Sequence, residues 1–557
     1  MFCDKDNVNI LTALLAAHGI RHAVVCPGSR NAPIVHNLKE CEQIECHPVT
    51  DERSAGFYAL GLALATASPV AVCVTSGSAL LNVAPAAAEA FYRHVPIIII
   101  SADRPAQWIG QLDGQTMPQT GALGCFVKKA VCLPEPNNDE QRWMCNRLVN
   151  EAITTATIHG WGPVHINVPI TEPLFSFTTR CLPKERVFTA EPAATLIASL
   201  ENIKDDLAKY QRIMTVIGQT WKGNIDDALF ALLSRDNVLI AEPLSNASAT
   251  SVHPDEAVCD VGDDPDCSPD LVIYIGGTVV SKRVRRYLRR TAAPTWLLTV
   301  DGYDMPDPTM NLTKIIECSN WQQLDELLNR IYLATASEQT TFSQKWHNAM
   351  KAADLHAHTF APAFSQMETV KTFEEEIEAN GMTAHIHYAN STAIRLANIY
   401  ARHYVWCNRG LNGIEGSLST AAGFSLATED KVFCVIGDLS FFYDQNALWN
   451  TCLRGNLRIL LLNNRCGGIF KSLPGLEKSD AADDFVAAAH HTDARGTCLQ
   501  NKVVYIEAHD SGSMKKGVRQ LINEPSERPM LLEVFTDADE DSRIIGEYLR
   551  MCTSHRV

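Results

Sequence analysis

The sequence predicts an α/β protein made of three doubly wound domains, each with its own parallel sheet. Short apolar runs alternate with segments of helical periodicity along most of the chain, and this order is typical of parallel sheets covered by helices on both faces. The order recurs in three sections, and a length of 557 residues suits about three domains. We therefore predict domains at 1–182, 190–340 and 385–557, with a linker over 341–384.

The first section begins with a helix and then alternates strands with helices. Apolar residues recur at helical spacing over 6–18, and Gly19 ends this helix. A second, amphipathic helix begins near Asp51, and an Ala-rich helix follows a later strand. The predicted strands read "HAVVC", "IECHPV", "VAVCVT" and "VPIIIIS".

The two later sections repeat this order. In the middle section the predicted strands read "RIMTVIG", "NVLIAE", "LVIYIGG" and "TWLLTV". The charged stretch "TFEEEIEANG", inside the linker, predicts a connecting helix on the surface. In the last section the predicted strands read "HYVWCN", "KVFCVIGD", "RILLLNN", "KVVYIEA" and "PMLLEVF".

Composition and charge argue against several classes of function. The formal net charge of −16 argues against general binding to nucleic acid or to anionic membranes. The first residues lack the basic and then apolar layout of a signal peptide. No run of about 18 apolar residues predicts a membrane span. We therefore expect a cytoplasmic protein with no nucleic-acid partner.

The cysteines fit a reduced compartment. There are 18 of them, and many lie inside apolar strands, for example Cys26, Cys73 and Cys434. No pair has the C-x-x-C spacing of zinc or redox sites. Cys41, Cys46 and His47 leave one metal-binding alternative open, but structural thiols explain these cysteines more simply.

Polar side chains follow two neighbouring strands of the last section. Asp438 and Ser440 come directly after "VFCVIG", and Asn463 and Asn464 follow "LRILLL". Taken alone, the first stretch also suits a strand-to-helix turn capped by Asp438 or Ser440. Because open α/β sheets bind ligands at the carboxyl ends of their strands, the pair predicts hard oxygen ligands for Mg²⁺. Ser440 and the N–H groups of the next helix predict a phosphate site.

This arrangement, G-D-x-S followed by N-N, resembles the diphosphate-binding motif of thiamine-diphosphate enzymes. The resemblance implies the architecture of those enzymes, with thiamine diphosphate and Mg²⁺ or Mn²⁺ as cofactors. It also implies a glutamate in the N-terminal domain, which protonates a ring nitrogen of the aminopyrimidine. Glu52 fits this role at the start of the amphipathic helix, although an acid there also suits the helix dipole. The turn "TSGSALLN", with Gly77, resembles the turn after the next strand.

Further motifs resemble one family of these enzymes. They span all three predicted domains and read "CPGSRNAPI", "SADRP", "LDGQTMPQ", "SKR", "NSTAIR", "NRGLNGIEGSLSTAAG" and "GGIF". Together they resemble the 2-succinyl-5-enolpyruvyl-6-hydroxy-3-cyclohexene-1-carboxylate (SEPHCHC) synthases of menaquinone biosynthesis. That family decarboxylates 2-oxoglutarate and adds the resulting succinyl-semialdehyde carbanion to isochorismate, releasing carbon dioxide. The resemblance implies this activity, with these two substrates.

Both substrates carry two carboxylates, so the site needs several fixed cations, and guanidinium groups suit carboxylates best. By resemblance, Arg30, Ser391 and Arg395 hold the acceptor, and Lys282 or Arg283 reaches in from the middle domain. The candidate substrate-binding residues are Ser29, Arg30, Arg104, Lys282, Arg283, Ser391, Arg395, Phe470 and Leu473. Of these, Phe470 and Leu473 would wall the pocket or belong to the core.

The remaining roles are also implied by the resemblance. The candidate catalytic residues are Glu52 and Gln115, and Gln115 would lie near the reacting carbon. The candidate cofactor-binding residues are Glu52, Gly77, Arg409, Ile414, Asp438, Leu439, Ser440 and Asn464. Ile414 would act as an apolar wedge that bends the cofactor. The metal ligands would be Asp438, Asn464 and the backbone carbonyl of Cys466.

Some positions depart from the family's pattern. Gly114 stands where an Asn is expected before Gln115, and Arg465 and Cys466 stand where smaller or amide residues are usual. The adjacent residues His490 and His491 are similar to the twin histidines of simple 2-oxoacid decarboxylases. Those histidines lie in the N-terminal domain, so we interpret this pair as exposed or packing side chains.

Three alternatives stay open. Another thiamine-diphosphate carboligase or decarboxylase, such as an acetohydroxyacid synthase, would take less charged substrates, and the Arg-rich loops argue against it. A non-catalytic cofactor-binding paralogue would not need Glu52. A nucleotide-binding Rossmann protein needs G-x-G-x-x-G after its first strand, and "CPGSRNAP" does not match.

In the enzymes that this sequence resembles, the two halves of each site come from different subunits. We therefore expect a homodimer, or a dimer of dimers, with shared active sites.

Overall fold

The computed structural model describes residues 1–158, 160–188, 200–245, 253–300, 306–335, 340–472 and 475–551. These residues form sheets of six, five and six strands, and neighbouring strands are parallel throughout. The predicted fold class, three parallel-sheet α/β domains, is confirmed. Within these ranges no helix is both long enough and apolar enough to cross a membrane.

The N-terminal sheet and its helices occupy the first section of the chain. Its strands are β1 (His22–Val25), β2 (Glu45–Pro48), β3 (Val70–Val74), β4 (Ile97–Asp103), β5 (Lys129–Cys132) and β6 (Val164–Pro169). Its helices are α1 (Asp6–Ala17), α2 (Ala32–Glu40), α3 (Glu52–Thr66), α4 (Ser78–Asn82), α5 (Ala84–Tyr92) and α6 (Asp139–Thr155). The strand order is β2-β1-β3-β4-β6-β5, so the winding reverses between β1 and β3.

The middle sheet is the smallest of the three. Its strands are β7 (Ile213–Ile217), β8 (Val238–Ala241), β9 (Leu271–Ile275), β10 (Thr295–Thr299) and β11 (Leu312–Glu317), in the order β11-β10-β9-β7-β8. Its helices are α7 (Leu200–Leu207), α8 (Asp227–Asp236), α9 (Pro254–Val261), α10 (Lys282–Arg290) and α11 (Trp321–Thr335). Two helices follow before the last sheet, α12 (Thr341–Thr359) and α13 (Gln366–Asn380).

The C-terminal sheet repeats the strand order of the N-terminal one. Its strands are β12 (Ala384–Tyr388), β13 (Val405–Trp406), β14 (Lys431–Gly437), β15 (Leu457–Asn463), β16 (Val504–Ala508) and β17 (Met530–Phe535). Its helices are α14 (Thr392–Tyr400), α15 (Ser417–Ser425), α16 (Asp438–Asp444), α17 (Arg495–Asn501), α18 (Ser511–Asn523) and α19 (Ala538–Met551). The order is β13-β12-β14-β15-β17-β16, so the winding reverses between β12 and β14.

Short helical turns complete the described structure. They are 3₁₀ turns at Ala106–Trp108, Gly124–Phe126, Pro265–Cys267, Gln445–Leu448, Gly468–Ser472 and Leu476–Lys478, and a π turn at Ala482–Val486.

The predicted linker is divided between two domains. Trp346 of α12 is buried in the middle domain, where its Nε1–H donates to the carbonyl of Cys267 at 3.0 Å. Phe373 of α13 packs edge-on against Phe433 of β14, with ring centroids 5.4 Å apart. One face of α13 is therefore buried on the C-terminal sheet, and the prediction of a surface helix is wrong for that face. The charged residues that suggested exposure, such as Glu375 and Glu378, lie on its outer face.

Four strands lie outside the predicted apolar runs, namely β5, β6, β11 and β12. In β12 the polar residues His385 and His387 interrupt the apolar pattern, although the strand lies inside the sheet. His387 is buried there and stacks on Trp406, with centroids 6.0 Å apart. Local hydropathy therefore understated the burial of this strand.

The N-terminal and C-terminal domains share one core. A single buried cluster includes Tyr58 of α3, Phe424 of α15 and apolar residues of both sheets. Helices α3 and α15 cross in direct contact, because a Cβ on Gly61 would lie 2.1 Å from the Thr420 carbonyl oxygen. A Cβ on Gly423 would lie 2.3 Å from the Tyr58 carbonyl oxygen. This crossing fixes the two domains against each other.

Candidate active site

The carboxyl ends of four neighbouring strands bring polar residues to one edge of the C-terminal sheet. Asn390 lies two residues after β12, Asn408 two residues after β13, Asp438 directly after β14 and Asn464 directly after β15. β12 and β14 are the strands between which the winding reverses, and ligands of open α/β sheets bind at such a point.

Asp438 has an environment that calls for a cation. Its side chain is 3% exposed, and Oδ1 accepts the N–H of Leu439 at 2.7 Å. Oδ2 is buried and has no hydrogen-bond partner, although Nε2 of His490 lies 3.2 Å away. A buried carboxylate oxygen without a donor is costly, and a bound cation removes that cost.

Asn464 and Cys466 complete a set of hard oxygen donors. The Asn464 side-chain amide donates to Asp541 at 3.0 Å, which leaves its carbonyl oxygen to accept or to ligate. The Cys466 carbonyl accepts from the N–H of Gly468 at 2.9 Å and retains a second lone pair. Burial raises the pKa of the Cys466 thiol to about 11, so the sulfur stays protonated. A carboxylate, an amide and a carbonyl fit Mg²⁺ or Mn²⁺.

Arg465 and His490 lie beside these donors, and their side chains make different contacts. Arg465 has a φ of +66°, and its guanidinium lies 5.9 Å from the centre of the Phe535 ring. His490 packs edge-on against Phe442 as well as approaching Asp438. The prediction of a packing side chain therefore fits His490, but its contact with Asp438 was missed. His491 is exposed.

A loop over 408–416 connects this edge to the next helix. The Asn390 amide donates to the carbonyls of Asn408 at 2.6 Å and Gly413 at 2.8 Å. Arg409 donates to the Asn390 side-chain oxygen at 3.0 Å. At the far end, the Ser440 hydroxyl donates to the Ile414 carbonyl at 2.5 Å. This contact holds the backbone of Ile414, whose side chain is 42% exposed. The hydroxyl proton of Ser440 is used in the same hydrogen bond.

The N-terminal domain holds the same loop through one buried acid. Glu89 of α5 accepts the N–H groups of Gly410 at 2.9 Å and Leu411 at 2.8 Å. Burial raises the pKa of Glu89, and the positive charge of Arg93 and the two N–H groups oppose that rise. Glu89 therefore positions the loop that presents Arg409 and Ile414.

Glu52 lies at the first position of α3, beside other predicted residues. Its Oε2 accepts from the Asn82 amide at 3.3 Å, at the end of α4. Gly77, at the start of α4, has a φ of +80°, and a Cβ there would lie 3.1 Å from the Cα of Gln115. The structure therefore brings Glu52, Gly77 and Gln115 to one region of the N-terminal domain.

The predicted cations of the N-terminal domain are held by backbone and acid groups. Arg30 is buried and donates to the Ile170 carbonyl at 2.9 Å and to Glu172 at 3.0 Å. Arg104 donates to the carbonyl of Gly114 at 3.2 Å, so it lies beside the Gln115 loop. Gly114 and Gln115 are exposed, and so is Ser29 in its own loop.

In the middle domain the structure favours a different cation from the predicted pair. Arg283 is ion-paired with Asp255, and Lys282 is exposed. Arg285, one turn into α10, has a buried Nε without a hydrogen-bond partner. Burial, and next the positive charge of Arg409, lowers the pKa of Arg285.

Arg285 belongs to a group of three guanidinium side chains with Arg395 and Arg409. Burial, followed by the charge of Arg409, also lowers the pKa of Arg395, and Arg285 contributes in the same direction. The Nε of Arg409 is buried without a partner. None of the three forms an ion pair in the described part of the chain. Such a group is suited to an anionic ligand.

Glu242 joins the helices that carry two of these arginines. It is buried and accepts the N–H groups of Val280 at 2.6 Å and Ser281 at 2.8 Å, just before α10. It also accepts from Asn398 of α14 at 3.0 Å. Burial raises the pKa of Glu242 to about 7. This contact sets the position of α10 against α14.

Of the two predicted wall residues, only Phe470 can be described. It is half-buried, and a Cβ on Gly467 would lie 2.8 Å from its ring. Leu473 lies outside the described residues. Ser391 has a φ of +71° directly before α14, the helix that carries Arg395.

Comparisons with known proteins identify the family. Residues 6–123 match the thiamine pyrophosphate enzyme N-terminal TPP binding domain, and residues 388–534 match the C-terminal TPP binding domain. The chain is 42% identical to the SEPHCHC synthase of Phocaeicola vulgatus, over 98% of both chains. It is 41% identical to that of Bacteroides thetaiotaomicron, over 98% of this chain and 99% of the relative. The chain belongs to the SEPHCHC synthase family. The SEPHCHC synthase of Porphyromonas gingivalis is 34% identical to it over 98% of this chain.

Members of the SEPHCHC synthase family are thiamine-diphosphate enzymes, and this chain is therefore a thiamine-diphosphate-dependent carboligase. The two matched segments lie in the N-terminal and C-terminal domains described above, and the first of them ends before β5. Sequence reasoning missed Glu89, Arg285 and the contact of His490 with Asp438. A lone acid in the Ala-rich stretch "APAAAEAFY" was an available signal for Glu89, whereas the other two depend on contacts between distant segments.

Proposed function

We propose that the protein decarboxylates 2-oxoglutarate and joins the remaining four-carbon unit to isochorismate. The product is 2-succinyl-5-enolpyruvyl-6-hydroxy-3-cyclohexene-1-carboxylate, with release of carbon dioxide, in menaquinone biosynthesis. The product is the one in the names of the relatives from P. vulgatus and B. fragilis.

Free thiols at every cysteine in the described ranges support a reducing, cytoplasmic location.

The observation that carries this proposal is the group of Arg285, Arg395 and Arg409. After burial, the positive charge of Arg409 contributes most to lowering the pKa of Arg285 and of Arg395, a repulsion that Glu242 opposes at Arg285 and Asp255 opposes at Arg395; none of the three arginines forms an ion pair in the described ranges. Two dianionic substrates would offset that repulsion. A carboligase for small monoanionic oxoacids would have less need of such a group, and this favours the dianionic pair.

The divalent cation, Mg²⁺ or Mn²⁺, would be held by Asp438, Asn464 and the Cys466 carbonyl. Leu439, Ser440 and Arg409 would lie along the diphosphate, and Ile414 would offer apolar surface to the rest of the cofactor. Thiamine diphosphate, when bound, supplies the nucleophilic carbon and accepts the electron pair released in decarboxylation. Glu52 would hold a proton for the aminopyrimidine nitrogen, with Gly77 beside it.

The substrates would be held by cations from all three domains. Arg30, Ser29, Arg104, Ser391 and Arg395 would bind the carboxylates, with Arg285 joining Lys282 and Arg283 as a candidate from the middle domain. Gln115 would orient a hydroxyl near the reacting carbon, and Phe470 and Leu473 would exclude water from one wall. Charge-assisted bonds of this type contribute about 1.5–3 kcal/mol each.

We further infer a homodimer, or a dimer of dimers, with shared sites. Within one chain, residues next to Glu52 contact the end of α16 rather than its start. Arg53 donates to the Tyr443 carbonyl at 2.7 Å, and Asn446 donates to Asp51 at 2.9 Å. Asp438 lies at the opposite end of α16. This arrangement favours a Glu52 supplied to each Asp438 by a second subunit.

The direct test is an incubation of the full chain with thiamine diphosphate, Mg²⁺, 2-oxoglutarate and isochorismate, with the product identified by mass. We expect the SEPHCHC mass and one carbon dioxide per product. Replacing 2-oxoglutarate by pyruvate should lower the rate strongly. Equal rates with pyruvate would favour a different carboligase, and cofactor binding without any turnover would favour the non-catalytic paralogue.

A further inference from the structure

A group of metal-ligating side chains lies at the amino ends of β1 and β2. His22 and Glu45 are the first residues of these neighbouring strands and are paired in the sheet. His47 follows two residues after Glu45, so the three side chains lie on one face. Cys46 lies between Glu45 and His47 and thus on the other face. The alternative of Cys41, Cys46 and His47 is therefore not the group that forms.

The distances within this group suit a tetrahedral ion. Nδ1 of His22 lies 3.2 Å from Nε2 of His47 and 3.7 Å from a carboxylate oxygen of Glu45. Two ligands at about 2.0–2.1 Å from a tetrahedral Zn²⁺ are about 3.3–3.4 Å apart. Among the described residues this is the one group in which three such ligand atoms all lie within 4.8 Å of one another.

The chemistry of the three groups is also appropriate. His47 is 4% exposed, and its Nε2 faces Nδ1 of His22. The Glu45 side chain is 67% exposed, which leaves room for a water molecule as a fourth ligand.

We propose that His22 Nδ1, His47 Nε2 and a Glu45 carboxylate oxygen bind one Zn²⁺, with water in the fourth position. The ion site is separate from the proposed cofactor site, because it lies at the amino ends of β1 and β2, whereas Glu52 follows the carboxyl end of β2. The ion links the edge strand β2 to β1 and so steadies the strand that leads to Glu52. The competing interpretation is a plain N–H···N hydrogen bond between the two rings.

The test counts zinc on the full-length protein. The enzyme is first loaded with thiamine diphosphate and Mg²⁺, which fills the diphosphate site, and is then dialysed against Zn²⁺. We expect Glu45→Gln and His22→Ala each to retain about one zinc fewer per chain than the wild type. His36→Ala, a histidine variant on α2 outside the group, should retain as much as the wild type.

Two further measurements separate an ion site from a hydrogen bond. Co²⁺ in place of Zn²⁺ should give the intense visible absorption of a tetrahedral site in the wild type but not in Glu45→Gln. Zinc should raise the melting temperature of the wild type and of His36→Ala, but not of the other two variants. Equal zinc in the wild type and in both variants, or no retained zinc in the wild type, would overturn the proposal.

Discussion

At the scale of single residues, the most informative feature of Asp438 is a carboxylate oxygen that its neighbours leave without a hydrogen bond. Oδ1 accepts one N–H, and Oδ2 is buried without a hydrogen-bond partner, with Nε2 of His490 3.2 Å away but outside hydrogen-bond geometry. A buried carboxylate normally gathers donors from several directions, as Glu533 does from Asn463, Tyr505 and Ala494. We propose that a bound cation takes the place of those donors at Asp438.

Asp438→Ala should therefore weaken cofactor binding in the presence of Mg²⁺. The set of hard ligands loses its only charged member, and we expect the affinity for thiamine diphosphate to fall more than about tenfold, or about 1.4 kcal/mol. Titration calorimetry of the variant with thiamine diphosphate and Mg²⁺ measures this. The matched control is Asp484→Ala, an exposed carboxylate in the same domain. Unchanged affinity in Asp438→Ala would contradict the assignment.

The arginine group gives a second prediction at this scale. Arg395→Ala should raise the KM for isochorismate far more than that for 2-oxoglutarate, and Arg285→Ala should raise the KM for at least one substrate about tenfold or more. Steady-state kinetics with each substrate varied in turn measures both effects. Arg286→Ala is the control, because Arg286 is the exposed neighbour of Arg285 on α10. If Arg285→Ala behaves like Arg286→Ala, Arg285 does not bind substrate.

At the scale of elements, the crossing of α3 and α15 fixes the N-terminal domain against the C-terminal domain of the same chain. Glu52 begins α3, and α15 follows directly after the loop that carries Arg409 and Ile414. Glycine at 61 and 423 lets the two backbones touch, because any side chain there would meet main-chain atoms. The position of each helix therefore also fixes the segment at its amino end.

Gly423→Ala should lower the stability of the enzyme. Its new Cβ would lie 2.3 Å from the Tyr58 carbonyl oxygen, and overpacking of this kind costs about 1–3 kcal/mol. Thermal unfolding monitored by circular dichroism should show a lower midpoint. Gly496→Ala is the matched control, because this glycine of α17 has open space around its Cβ position. Alanine favours helices by about 1 kcal/mol over glycine, so this variant should unfold at the same or a higher temperature. Equal midpoints for the two variants would rule out a tight crossing.

At the scale of the whole molecule, the N-terminal and C-terminal domains have the same strand order and divide the cofactor between them. In the proposed assignment, Glu52 of the first domain serves the pyrimidine and Asp438 of the last domain serves the diphosphate. Within one chain, the start of α3 contacts the end of α16, away from Asp438. We therefore propose that a complete site combines the first domain of one subunit with the last domain of another.

Mixing two inactive variants tests this division. Glu52→Gln should keep its cofactor affinity but lose at least about a hundredfold in turnover, because an amide cannot relay the proton. A heterodimer of Glu52→Gln and Asp438→Ala would contain one site with both native residues. With free subunit exchange, equal mixing should restore about a quarter of the wild-type sites. No regained activity from proven heterodimers, with cofactor still bound to the Glu52→Gln homodimer, would rule against shared sites.

The sequence by itself determined the fold class and the chemistry of the C-terminal motif. Apolar runs such as those of β14 and β15 are buried on both faces, so their hydropathy identifies them without any tertiary information. Asp438 and Asn464 follow these strands directly, and parallel strands end at a common edge. At these two residues the local sequence pattern therefore also predicts the position in the fold.

Only the tertiary structure decided which groups are left without partners. Arg283 and Arg285 lie on the same short helix, and nothing local distinguishes the one paired with Asp255 from the one grouped with Arg409. Glu89 and His490 act on loops that are distant in the chain, and His387 is buried in a strand that its neighbours make polar. Burial and pairing depend on what packs from elsewhere in the fold. For that reason the sequence predicted the types of residue that the proposed site needs, whereas the packing determined which individual residues of each type are left available for it.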